Sequence, residues 1–252
     1  MVTRRSPPEL PRHKGALRMS LNHSPAIVTD GLVLCLDAAN IRSYPKSGTT
    51  WSDLKNGSVG TLRNIPDSDF VSDNGGSFLL DGSDEDVVVA STEAARIGTG
   101  NHTVSAWVKN LSTSEEDFIG TGGTLQGDIL LMIYSSAGGG SGGFRGHAWS
   151  STGNANTIDS PNAIGTGNWN YLTQRVSWGG NIDLFENGVL VKTQALSGSA
   201  PSSSRTDVIV GARSSGNQAT FYGNIAGVSF YNRALTADEV RSNYEATVGR
   251  YI

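Results

Sequence analysis

The sequence predicts a turn-rich all-β domain that closes with a short helix and is preceded by a separate arm. Three observations carry this. First, the 252 residues include 32 glycines and only 17% charged residues, a composition of many tight turns rather than of charged amphipathic helices. Second, residues 168–191, NWNYLTQRVSWGGNIDLFENGVLV, read as consecutive antiparallel strands. Leu172, Gln174, Val176 and Trp178 alternate with Tyr171, Thr173, Arg175 and Ser177, which gives the first strand two faces. Gly179-Gly180 turns the chain into a strand over 181–186, and Asn187-Gly188 turns it again into 189–191. Asn-Gly is the strongest short hairpin signal, because both residues tolerate the positive φ of a type I′ turn. Third, Thr236 followed three residues later by Glu239 is a capping box, with Leu235 and Val240 placed as a hydrophobic staple. The spacing predicts a helix over 237–246 that packs Val240 and Tyr244, four apart, onto the sheet edge.

The length suits one large β domain plus an arm, divided as 1–25 and 26–252, with ample core for independent folding. The arm carries Pro7, Pro8, Pro11 and Pro25 and few apolar residues. Alone, such a segment is disordered, so it is expected to be held by a partner surface, a neighbouring subunit in an assembly. An arm folded along its own domain is the alternative. Arg4, Arg5, Arg12, Lys14 and Arg18 against Glu9 give it a net charge of +4, which leaves −8 for the remainder of a chain whose total is −4. Five dispersed positive charges are a weak signal for nucleic acid, which is not expected as a partner.

The domain begins near Ile27, and Asp30-Gly31 turns into a strand over 32–36. The single cysteine, Cys35, lies inside that apolar run. It excludes an intrachain disulfide and reads as a small buried hydrophobe. In 103–109, Val104, Ala106 and Val108 alternate with Thr103, Ser105 and Trp107, another strand. Between 111 and 167 the pattern loosens around strands at 129–134 and 144–150 and a Gly/Ser loop at 137–143. A binding rim would be built there. No apolar run reaches the roughly 18 residues of a membrane helix, and the basic amino end lacks the apolar segment of a secretory signal. Asn-x-Ser/Thr matches at Asn22, Asn56, Asn101 and Asn110 read as chance in a chain rich in these residues.

Several stretches together resemble a known family. The opening GLVLCLDAANIRSYPKSGTTWSDLKNGSVGTLRN, the element FLLDGSDEDVVV, the strand TVSAWVK, the hairpins at 168–191 and the closing VIVGARSSGNQATFYGNIAGVSFYNRALTADEV are similar to laminin-G-like, concanavalin A-like domains of tailed-phage virion proteins. The resemblance covers about 27–252 and implies a β-sandwich jelly roll. Trp51, Trp107, Trp169 and Trp178 sit at matching positions and are expected in the core. It also implies a virion structural protein: a capsid decoration or cement subunit, or an auxiliary head or tail subunit, tied by its arm to other virion proteins in symmetry-related copies. A glycan- or receptor-binding module of a tail fibre or baseplate is the alternative, because the fold hosts lectins, glycosidases and structural modules alike.

Chemistry is weighed residue by residue. Retaining glycosidases of this architecture typically carry Glu-x-Asp-x-Glu on one strand, and no such run exists here. Asp183 and Glu186, three apart, point to opposite faces of a strand. Glu115-Glu116-Asp117 reads as a polar loop. A polysaccharide hydrolase is therefore the least favoured reading, and the chain is expected to be non-catalytic. His102 and His147 lack zinc spacing. Asp81, Asp84, Glu85 and Asp86 form an acidic turn, read as structural, with bound Ca²⁺ the alternative through Asp81, Asp84 and Asp86; no other cofactor is expected. A sugar site needs an aromatic platform with amides nearby, for which Tyr134, Trp149 and Asn154 are the candidates.

Overall fold

The computed structural model describes residues 26–122, 127–134, 143–203, 205–214 and 219–252. The arm at 1–25, with Arg4, Arg5, Arg12, Lys14 and Arg18, lies outside the described residues, as does nearly all of the Gly/Ser loop at 137–143. In chain order the strands are β1 (Leu32–Asp37), β2 (Thr50–Ser52), β3 (Val59–Arg63), β4 (Phe70–Val71), β5 (Ser77–Asp81), β6 (Asp86–Ala90), β7 (His102–Asn110) and β8 (Glu116–Gly120). They continue as β9 (Ile129–Tyr134), β10 (Gly143–Trp149), β11 (Ala155–Ala163), β12 (Asn170–Val176), β13 (Asn181–Glu186), β14 (Val189–Ala195), β15 (Asp207–Val210) and β16 (Tyr222–Tyr231). A one-turn helix, α1 (Thr92–Ala95), follows β6, and α2 (Ala237–Thr247) follows β16.

The strands form two antiparallel sheets. One runs β14-β13-β12-β7-β16-β5-β4, with β1 also paired to β16; the other runs β11-β10-β9-β8-β15-β6-β3-β2. Alternation sends Leu34 and Leu36, Val104 and Ala106, Leu131 and Ile133, and Val208 and Val210 into one apolar layer between the sheets. Tyr44, Trp51 and Phe78 meet in this layer, with Phe78 4.7 Å from Tyr44 and 4.9 Å from Trp51 between ring centres. This is the β-sandwich expected from the sequence.

The hairpins form as the turn residues dictate. Asn187 and Gly188 adopt φ of 51° and 78°, and Leu172, Val176, Ile182 and Leu184 enter the core. The Thr236 side chain accepts from the Glu239 amide and the Glu239 carboxylate accepts from the Thr236 amide, so the capping box is made in full. Leu235 and Val240 share an apolar cluster as the staple spacing predicts. One placement differs. α2 lies over the outer face of its sheet rather than at the edge, because Trp107 and Tyr171 of the central strands β7 and β12 face outward and receive Tyr244. The tryptophans divide accordingly. Trp51 is between the sheets, Trp178 packs against that core from partial burial, and Trp107 and Trp169 pack beneath and beside the C-terminal segment. Cys35 is buried with its thiol pushed up to about 12 by burial and by Asp37 and Asp53, the inert small hydrophobe expected.

Candidate functional site

The sheet containing β8 to β11 has an apolar inner face and a mixed outer one. Along β10, Phe144 and Ala148 enter the core, so Arg145, His147 and Trp149 face outward. Ile129, Leu131 and Ile133 of β9 do the same, leaving Leu130, Met132 and Tyr134 on the outer face, where Leu130 and Met132 are nevertheless buried. Pairing aligns Asp117 with Met132, Met132 with Arg145, and Arg145 with Asp159. These four form one row across the outer face, with His147 and Thr157 in the next row but one position along.

Arg145 is fixed from two sides. Asp159 holds its guanidinium through two hydrogen bonds, and the group lies 3.2 Å from the centre of the Tyr134 ring. His147 stacks on Trp149 with 5.1 Å between ring centres, and its Nδ1 is 2.8 Å from Thr157 Oγ1. Burial, then the charge of Arg145, holds its pKa down to about 4, so the imidazole is neutral at neutral pH. Tyr134, Arg145, His147 and Trp149 thus make a strip along the sheet. Tyr134 pairs with Gly143, so Trp149 is six positions further on, about 20 Å at strand spacing.

Asp117 flanks the strip. Arg213 donates from Nε to its Oδ2 at 2.9 Å, and the same guanidinium reaches Glu115 at 3.5 Å. The other oxygen, Oδ1, is buried and has no partner among the described residues. Burial pushes the carboxyl up to about 7, against the pull of Arg213. A buried acceptor without a donor is costly.

The sequence candidates are placed as follows. Tyr134 is half-buried at one end of the strip, and Trp149, 7% exposed, is a wall at the other rather than an open platform. Asn154 is exposed in the turn after β10, donating to Thr152 Oγ1 at 3.1 Å. Trp149 and Asn154 therefore share one end, and Tyr134 reaches them only through Arg145 and His147, which sequence reasoning missed. The alternation in GFRGHAW was the available signal, since it places Arg, His and Trp on one face. Residues 115–117 were expected in a polar loop; instead Glu116 and Asp117 belong to β8, both buried, because Phe118 and Ile119 pin this short strand into the core.

The acidic turn brings Glu85 against Asp81 but does not gather Asp81, Asp84 and Asp86. Asp81 accepts from the Ser83 amide at 2.8 Å, Asp84 from Asn64 at 3.1 Å, and Asp86 pairs with Arg63. Gly82, at φ 81°, makes the turn. Asp81, Asp84 and Asp86 thus do not form the calcium set considered from the sequence, and among the described residues no group of three His, Cys, Asp or Glu side chains is arranged for a metal. His102 lies on the opposite sheet from His147, fully buried with Nδ1 2.8 Å from the Gly100 carbonyl. Asp183 binds Arg175 and Thr193, whereas Glu186 binds Ser160, so the two carboxylates diverge as strand alternation predicts.

The Laminin_G_3 family, described as the concanavalin A-like lectin/glucanases superfamily, matches residues 81–241. No curated protein matches the sequence. Among solved structures, the binding domain of Paraclostridial Mosquitocidal Protein 1 is similar, with a TM-score of 0.65 and 15% identity over 85% of this chain and 52% of that one. Domain 4 of the arabinanase AbnA from Geobacillus stearothermophilus, solved in complex with arabinotriose, has a TM-score of 0.59 and 17% identity over 84% of this chain and 98% of that one. A Trypanosoma rangeli sialidase in complex with 2,3-difluorosialic acid has a TM-score of 0.61 and 17% identity over 89% of this chain and 34% of that one. The chain spans about half the length of the mosquitocidal binding domain it matches. At these identities the structural likeness is one of fold, whereas the family match covers well over half of the sequence. The chain belongs to the Laminin_G_3 family of the concanavalin A-like lectin/glucanases superfamily.

Proposed function

We propose that this chain is a non-catalytic glycan-binding domain whose site is the outer face of β8 to β11. The observation that carries the reading is the strip of Tyr134, Arg145, His147 and Trp149 lying in register with Asp117, whose Oδ1 lacks a donor among the described residues. Ring faces contact the apolar side of a sugar, and fixed polar groups select its hydroxyls. A strip about 20 Å long suits an extended oligosaccharide rather than a single sugar. Arg145 is occupied by Asp159, and Arg213 by Asp117 and Glu115. The face therefore offers hydrogen bonds more than free positive charge, which favours a neutral glycan over an acidic one. The arabinanase domain, solved with a neutral oligosaccharide, is in keeping with this.

The setting we propose is a virion surface, on the resemblance of residues 27–252 to phage laminin-G-like domains. There the arm at 1–25 would tie symmetry-related copies to other virion proteins, and weak single-site binding would be multiplied by avidity. A carbohydrate array probed with the full chain tests the glycan reading. Binding to neutral oligosaccharides that falls at least about tenfold, or about 1.4 kcal/mol, in Arg145→Ala and Tyr134→Ala is expected. Binding that both variants retain in full would remove this face from the function.

A further inference from the structure

A concavity lies on the opposite side of the molecule, where α2 crosses the outer face of the other sheet. It encloses about 260 Å³. Its origin can be read from the strand register. Cys35 pairs with Ser229, and Ser229 with Ser105, so three small side chains stand side by side across β1, β16 and β7. The neighbouring row, Gly227, Trp107 and Tyr171, is aligned the same way and ends in two large rings. Those rings hold the C-terminal segment away from the sheet. Trp107 lies 4.1 Å from Tyr251 and 5.8 Å from Tyr244 between ring centres. Ala246 of α2 is too short to descend into the gap above the small row. A concavity of this size and lining, open to solvent on one side, has the form of a small-molecule site with an occupant.

The lining states what that occupant is. The polar groups at the inner end satisfy one another: Thr173 donates to Ser105 Oγ at 2.9 Å, and Asn243 donates to Tyr231 Oη at 3.0 Å. Asn243 Oδ1 in turn accepts from the Val28 amide at 2.7 Å. None of the lining residues has a buried side-chain atom without a partner. The one charged pair, Asp37 with Arg250, has both carboxylate oxygens 2.9 Å from Arg250 Nη1 and sits partly exposed at the edge. A ligand here is therefore offered ring faces, a thiol and a methyl group, and no unmet charge. The volume lies just below the range of drug-sized pockets, which limits the guest to about a dozen heavy atoms.

We propose that this cavity is a binding site for a small uncharged aromatic molecule, seated between the Cys35–Ser229–Ser105 floor and the α2 roof, with Trp107 and Tyr251 as its ring wall. It is separate from the glycan face and does not depend on it. Capture is non-covalent, because burial and the nearby Asp37 and Asp53 carboxylates keep the Cys35 thiol protonated.

Indole is the probe, with benzoate and glucose as charged and polar controls, using the full chain. Indole should raise the melting temperature in a saturable way, as binding to the native state alone requires, and should give a saturable heat of binding by titration calorimetry over the same concentrations. Two variants fill the cavity from opposite sides, Cys35→Leu from the floor and Ala246→Leu from the roof. At least one that melts cooperatively should lose the indole response at least tenfold. No saturable response to indole in the wild type would overturn the proposal. So would an undiminished response in folded versions of both variants, or an equal response to benzoate. Indole binding that appears only after proteolytic removal of residues 1–25 would assign the cavity to the chain's own N-terminal segment and would equally overturn it.

Discussion

Asp117 and His147 face the same surface and titrate in opposite senses. Asp117 is pushed up to about 7, so between its unfolded value near 4 and pH 7 the folded state holds the proton more tightly than the unfolded one. Its contribution to stability is present at low pH and lost as pH rises through that window. Asp117→Asn should flatten this slope and, at pH 8, stabilise by on the order of 2 kcal/mol, read from denaturant midpoints at pH 5 and pH 8. His147 is held down to about 4, and so is the fully buried His102. For these the unfolded state binds the proton first, so stability falls as pH drops from about 6.5 to 4. His147→Gln should remove part of that acid-side loss; an unchanged acid limb would show that His147 is not neutral in the fold. At this scale the sequence was readable for Cys35, whose apolar neighbours announced its burial. It was not readable for Asp117, because its burial depends on β8 being clamped between β9 and β15, a matter of pairing partners distant in sequence.

At the scale of elements, the parts with local causes were legible and those with non-local causes were not. The Asn187-Gly188 turn and the α2 capping box are written in adjacent residues, and both form as read. Thr236→Ala removes one half of the box and should cost about 1 kcal/mol, a fall of about 2–4 °C in melting temperature for a domain of this size. β11, by contrast, extends through Pro161 to Ala163 and was not anticipated. Its pairing with β10, not its own composition, makes it a strand. The glycine at the end of β8 shows the same dependence. A Cβ at Gly120 would lie 2.1 Å from the Arg213 carbonyl oxygen, so only glycine lets the Arg213 segment pass close enough to reach Asp117. Gly120→Ala should lower stability by about 1–3 kcal/mol and weaken glycan binding together. Loss of stability with full binding would separate Arg213 from the site.

The whole molecule presents two outer faces with different chemistry. One sheet carries a largely buried strip of ring, guanidinium and imidazole groups on its outer face; the other is roofed by α2 over an apolar cavity. The sandwich itself was legible, since glycine-rich turns, alternating strands and the resemblance all pointed to it. The α2 roof was not, because it is set by outward-facing Trp107 and Tyr171, whose alternation alone does not say what covers them. Both sheets begin at or after Leu32, and the Val28 contacts to Asn243 and Tyr231 lie outside the arm. Deleting residues 1–25 should therefore leave a cooperative melting transition within about 2–4 °C of the full chain. On the virion reading, the same truncation should abolish attachment to particles, and full occupancy by the truncated protein would contradict that role for the arm. The central claim is that glycan recognition belongs to the outer face of β8 to β11. It is tested most directly by titrating the isotope-labelled full chain with a neutral oligosaccharide and mapping backbone amide shifts. Saturable shifts centred on Asp117, Arg145, His147 and Asp159 are the predicted result. Shifts centred instead on β1, β16 and α2, or none at millimolar sugar, would contradict it.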